Sequence, residues 1–103
     1  MSSEPYSLYL SSPDDTDEFF LVTQPVMSIG RAPDNPIVLD HTLISRRHAE
    51  LRLDPDGLLI TDLNSTNGTF VNGERLGADR PYLLRNGAEI NIGPFSIVVI
   101  DNR

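Results

Sequence analysis

The chain has no cysteine and no lysine, and none of its apolar runs is long enough to cross a bilayer. Without cysteine there is no disulfide framework, no thiolate metal site and no cysteine nucleophile. Without lysine, all eight basic residues are arginines, at positions 31, 46, 47, 52, 75, 80, 85 and 103. Codon usage explains that bias for the set as a whole, but any anion site here must use the planar, bidentate guanidinium. Hydrophobic residues form 39% of the sequence in short, scattered runs, whereas a membrane-spanning helix needs roughly 20 consecutive apolar residues. No membrane insertion is expected. The N-terminal MSSEPYSLYLSS lacks the basic segment and apolar stretch of a secretory signal, so a cytoplasmic location is expected. Positive charge is scarce as well. Fifteen acidic residues against eight arginines leave a net charge of −7, and that sign opposes a nucleic-acid backbone, which proteins normally hold by neutralising its phosphates. Nucleic acid is not expected as a partner.

What the chain does have is period-two alternation of hydrophobic residues in short blocks, at 7–10, 18–23, 26–30, 37–39, 48–53, 58–63, 69–71, 81–84, 89–92 and 95–100. Turn-forming stretches separate them: SSPDD, RAPDNP, DPDG, NSTNG, VNGE, LGADR, RNGAE and IGP. No helical stripe of about ten or more residues stands out. Short strands with frequent turns predict an all-β fold, an antiparallel sandwich or barrel, and a length of 103 residues fits one domain. Within HAELRL, Ala49, Leu51 and Leu53 are expected to face the core, and Glu50 and Arg52 the water. Asn72-Gly73 predicts a two-residue hairpin, because a type I′ turn needs positive φ at both positions. The acidic stretch SSPDDTDE (11–18) reads as a mobile, exposed loop between the first two strands.

Three polar clusters, SIGRAPDN (28–35), LISRRHAEL (43–51) and DLNSTNGTFVNG (62–73), each run from a strand end into a loop. In a sandwich they can converge at one edge, where a rigid scaffold presents binding loops. Enzyme chemistry fits them poorly. Ser45 and His48 are three apart, so on a strand they point to opposite faces, and nothing completes a triad. His41, His48 and Asp40 lack metal-site spacing. Phosphate-loop and dinucleotide fingerprints are missing too. The expectation is no catalysis, no metal and no cofactor. A dianionic phosphate, in contrast, is matched by guanidinium, hydroxyl and backbone N–H donors. Arg31, Ser45, Arg46 and Thr66 can supply them, while the amide of Asn67 offers the donor and acceptor needed to grip an extended peptide backbone.

At this point the chain resembles a forkhead-associated (FHA) domain, a family of phospho-motif readers. The matching pieces, in order, are Gly30-Arg31, Asp34-Asn35 followed by Ile37-Val38-Leu39, Ser45-Arg46-Arg47-His48-Ala49, Asp62-Leu63, and Ser65 through Gly73. Leu84, Asn86-Gly87, Ile90 and Ile92-Gly93 complete the set. The likeness covers roughly residues 26–100, and residues 1–103 are expected to form a single domain of this kind. It implies a β-sandwich of about eleven short strands that recognises phosphothreonine in an extended segment of a partner, without catalysis. It also implies direct phosphate contacts for Arg31 and Ser45, supporting contacts for Arg46 and Thr66, and a grip on the peptide main chain by Asn67. His48 would brace the loops, with Gly30, Gly68 and Gly73 as turn-formers and Asn72 as a hairpin residue. Side chains alternate along a strand, so at most one of Arg46 and Arg47 is expected to reach the phosphate while the other is solvated; Arg46, beside Ser45, is the choice.

Charge-assisted hydrogen bonds of roughly 1.5–3 kcal/mol each, less the cost of ordering a peptide, give an expected affinity of roughly micromolar. The wording of GRAPDN and SRRHAEL is most similar to bacterial members, which points to a Ser/Thr protein kinase or its substrates as partners. The bound segment can also belong to the parent chain, if this is an accessory domain of an enzyme or transporter. Without arginine at Thr42 or Leu43, those positions do not favour an acidic residue on the peptide. The alternative reading is a phosphate-independent scaffold or oligomerisation module, against which Arg31, Ser45 and Asn67 argue. Monomer is the default state. Thr16, in the acidic stretch, is a candidate kinase substrate.

Overall fold

A computed structural model describes residues 4–103; the first three residues of the N-terminal segment read for a signal lie outside it. Eleven strands follow in chain order: β1 (Tyr6–Ser11), β2 (Asp17–Leu21), β3 (Val26–Gly30), β4 (Ile37–Val38), β5 (Ala49–Asp54), β6 (Gly57–Asp62), β7 (Phe70–Val71), β8 (Glu74–Arg75), β9 (Tyr82–Leu84), β10 (Glu89–Ile92) and β11 (Phe95–Asp101). They form a six-stranded sheet in the order β2-β1-β11-β10-β7-β8 and a five-stranded sheet in the order β4-β3-β5-β6-β9. No helix forms among the described residues, so none is long and apolar enough to cross a membrane.

The period-two pattern decides which face of each sheet is buried. Leu8, Leu10, Ile90, Ile92, Ile97 and Val99 come from one sheet and Ile29, Leu51, Leu58 and Ile60 from the other, all nearly inaccessible and packed in one cluster. Each such burial contributes about 1.5–3 kcal/mol. Along β5, Ala49 and Leu51 are buried, Leu53 packs against the rim and Arg52 is exposed. Glu50 is only half-exposed.

Three features depart from the expected pattern. β4 runs parallel to β3, through Ile29↔Ile37 and Gly30↔Val38, whereas the other strand pairs are antiparallel. A contact of two residues is short enough for the 31–36 loop to return beside β3 without a full crossover. Strand β8 has no apolar alternation to reveal it, since Glu74 and Arg75 are both exposed; it forms because the hairpin sets Phe70 opposite Arg75 and Val71 opposite Glu74. The acidic loop is shorter than 11–18, because Ser11, Asp17 and Glu18 pair as strand residues. Between them Asp15 takes a positive φ of 64°, the Asp15 amide donates to Ser12 and the Ser12 amide to Thr16, which closes a tight turn.

Candidate functional site

The loops 31–36, 39–48 and 63–69 meet at one edge of the sandwich, joined by their own hydrogen bonds. The Arg31 amide donates to the Ser45 carbonyl at 3.0 Å and the Ala32 amide to the Arg46 carbonyl at 3.1 Å, so the first loop is laced to the second. Gly30 permits this approach. A Cβ on Gly30 would fall onto the Arg46 carbonyl, whose carbon it would meet at 2.8 Å. Gly30 is therefore not a turn-former, as its place in the sequence suggested, but a strand residue of ordinary φ over which another backbone passes. Gly68 and Gly73 do take positive φ, 89° and 86°.

Asn35 completes the lacing. Its side chain is buried, and its Nδ2 donates to the Ala32 carbonyl at 2.8 Å and the Arg46 carbonyl at 2.9 Å. Its Oδ1 accepts from Ser28 Oγ at 2.8 Å and from Arg47 Nη1 at 2.9 Å. Arg47 goes on to an ion pair with Asp34 at 2.7 Å, which commits it to this side of the loops and takes Asp34 away from Arg31. Arg46 is exposed, and its guanidinium has no partner among the described residues.

His48 holds the second loop to the third. It is wholly buried; its Nδ1 accepts the Ser45 amide at 3.1 Å, so Nε2 carries the proton and donates to the Gly68 carbonyl at 2.8 Å. The same contact separates Ser45 from any role as a nucleophile activated by His48, since the ring meets the Ser45 amide and not its hydroxyl. In the third loop the buried Asp62 carboxylate accepts from Ser65 Oγ at 2.6 Å, Thr69 Oγ1 at 2.7 Å and the Ser65 amide at 3.1 Å. Ser65 Oγ in turn accepts from the Gly68 amide at 3.0 Å, so the Ser-Thr-Asn-Gly loop has a fixed shape before any ligand arrives.

Over this frame lies a shallow depression of about 170 Å³ lined by Arg31, Thr42, Leu43, Ile44, Ser45, Thr66 and Asn67. Arg31 is half-buried; its Nε donates to the Ile44 carbonyl at 3.1 Å, which anchors the stem and leaves both terminal nitrogens without a partner among the described residues. Ser45 Oγ accepts the Thr66 amide at 3.1 Å, so its own hydroxyl hydrogen remains available. Asn67 Nδ2 donates to the Leu43 carbonyl at 2.9 Å and spans the loops, its carbonyl oxygen unengaged among the described residues. Arg31, Ser45, Thr66 and Asn67 thus share one groove; Arg46 follows Ser45 but does not line it. His48, Gly30 and Gly68 lie beneath. Asn72 stands apart, at the β7–β8 turn, where its Oδ1 accepts the Glu89 amide at 3.0 Å. Among the described residues no group of three His, Asp or Glu side chains gathers as a metal site.

The framework residues Asn35, Asp62, Ser65 and Thr69 carried no assigned role in the sequence. Asn, Asp, Ser and Thr in a loop read as turn residues, and their burial appears only when the loops are stacked.

A groove of unpaired donors on loops braced by a rigid sandwich defines a recognition domain. The chain belongs to the forkhead-associated family: the FHA domain family matches residues 27–93. Among curated proteins it is 44% identical over 81 residues to the glycogen accumulation regulator GarA of Mycolicibacterium smegmatis, covering 79% of this chain and 49% of that protein. It is 43% identical over 82 residues to the oxoglutarate dehydrogenase inhibitor of Corynebacterium jeikeium, covering 80% and 55%. The chain thus spans about half the length of the curated relatives it matches. A structure solved in an analysis of phosphothreonine-dependent FHA domain interactions superposes with a TM-score of 0.81 at 34% identity, covering 94% of this chain and 98% of that one.

Proposed function

We propose that this domain binds phosphothreonine in an extended segment of a partner protein, or of its own parent chain. The observation that carries the reading is the set of donors left over after the loops have satisfied one another: two terminal nitrogens of Arg31 and the hydroxyl hydrogen of Ser45, facing one groove. A phosphate dianion supplies the acceptors they lack. Arg46, unpaired beside the groove, and Thr66 at its rim add supporting contacts, and Asn67 holds the peptide main chain. The FHA structure studied for phosphothreonine-dependent interactions supports phosphothreonine as the ligand. The domain acts without catalysis, in the cytoplasm, on partners phosphorylated by Ser/Thr kinases; the regulator and inhibitor among its relatives support that role, and the net charge of −7 supports a protein ligand over nucleic acid.

Titration of isotope-labelled protein with a phosphothreonine peptide tests the assignment. The backbone amide resonances of Arg31, Ser45, Thr66 and Asn67 are expected to shift most, and not with the unphosphorylated peptide. Shifts centred on another face, or equal shifts with both peptides, would refute it.

A further inference from the structure

Three of the eight arginines are paired: Arg47 with Asp34, Arg52 with Glu50 and Arg103 with Asp101. Arg31 and Arg46 belong to the phosphate edge. Arg75, Arg80 and Arg85 remain, and of these Arg75 and Arg80 both border a second depression, about 310 Å³, with Leu76, Pro81 and Tyr82 as apolar wall. Neither guanidinium has a hydrogen-bond or ion-pair partner among the described residues. Glu74 also borders the depression, but it precedes Arg75 on β8, so the two side chains leave opposite faces of the strand. In a chain with fifteen acidic residues and eight basic ones, two unneutralised arginines on one depression reverse the local sign of charge.

The depression adjoins the phosphate edge. The Arg75 guanidinium packs on Gly68, where a Cβ would stand 2.7 Å from Nε and 2.9 Å from Cζ. Gly68 directly follows Thr66 and Asn67 of the groove. Asn67 of the groove is thus one residue from the contact with Arg75, which shares its depression with Arg80.

We propose that Arg75 and Arg80 form a second anion subsite, which takes a carboxylate or a second phosphate from the flank of the phosphothreonine segment. This rests on the phosphothreonine reading and extends it to the partner's sequence: one flank is acidic or doubly phosphorylated. Solvent-exposed ion pairs are weak singly, so an anionic flank should tighten binding about three- to tenfold, and added salt should erode the gain.

Fluorescence anisotropy with one phosphothreonine core tests this, its flanks carrying on either side Asp and Glu, a second phosphothreonine, or neutral residues. The readout is the ratio of affinities between anionic and neutral flanks, in the wild type, Arg80→Gln and the Arg75→Gln/Arg80→Gln double variant. The expected result is a ratio of about three to ten for one flank in the wild type, reduced in the single variant and close to one in the double. The Arg80 side chain packs on Gly77, whereas Gly68 is covered by Arg75, so a fall in the Arg80 variant reports the subsite and not a disturbed loop. A carboxylate flank and a phosphate flank separately identify the source of the anion. Equal affinities in the wild type, or a ratio that survives the double substitution, would overturn the subsite alone. Failure of every phosphothreonine peptide to bind the wild type would overturn the phosphothreonine reading and the subsite with it.

Discussion

Arg46 and Arg47 are neighbours of identical chemistry with different surroundings, and Asn35 is what separates them. By accepting from Arg47 while it donates to the Ala32 and Arg46 carbonyls, Asn35 fixes the two loops that carry Arg31 and Ser45. Removing its side chain takes one of two donors from each carbonyl and one acceptor each from Arg47 and Ser28, and losing such a set of largely buried hydrogen bonds costs about 1–3 kcal/mol. Asn35→Ala should therefore lower stability by about that amount, measured by urea denaturation, and weaken phosphothreonine-peptide binding although Asn35 does not line the groove. Unchanged affinity in the folded variant would show that the loops keep their shape without it. At this scale the sequence was legible for residues with distinctive chemistry: Arg31, Ser45 and Asn67 stand out as donors. It was mute for Asn35 and Asp62, whose importance comes from burial and from partners distant along the chain.

Among the elements, the β7–β8 hairpin shows how a short signal can specify a structure that alternation misses. Asn72 and Gly73 take φ of 51° and 86°, the two positive values a type I′ turn requires, and β8 exists because that turn folds it back. A Cβ on Gly73 would meet nothing within 4 Å, so a substitution there is opposed by backbone conformation alone. Gly73→Ala should cost about 1–2 kcal/mol, and Gly73→Asn clearly less, since Asn tolerates the left-handed region; denaturant midpoints of the two variants check the order. Equal losses would point to a steric cause that the open space denies. The buried strands were readable because one face of each meets the core. The parallel β3–β4 contact was not, because pairing direction leaves no mark on the hydrophobic pattern, and the ends of the acidic loop were not, because exposed strand residues resemble loop residues.

For the molecule as a whole, the sandwich supplies rigidity and three loops supply the chemistry. Among the described residues those loops leave no buried side-chain polar atom unpaired, while Arg31 and Ser45 keep donors to spare. Convergence of the loops at one edge, inferred from strand ends, is a property of the sheet order; which groups stay unpaired depends on side-chain contacts that spacing does not encode. The most direct test is calorimetric titration of matched phosphothreonine, phosphoserine and unphosphorylated peptides into the wild type and Arg31→Ala. Roughly micromolar binding of the phosphothreonine peptide, weaker binding of phosphoserine, none of the unphosphorylated form, and loss of binding in a folded Arg31→Ala variant are the expected results. Binding that ignores the phosphate, or that survives in Arg31→Ala, would contradict the function proposed for this groove.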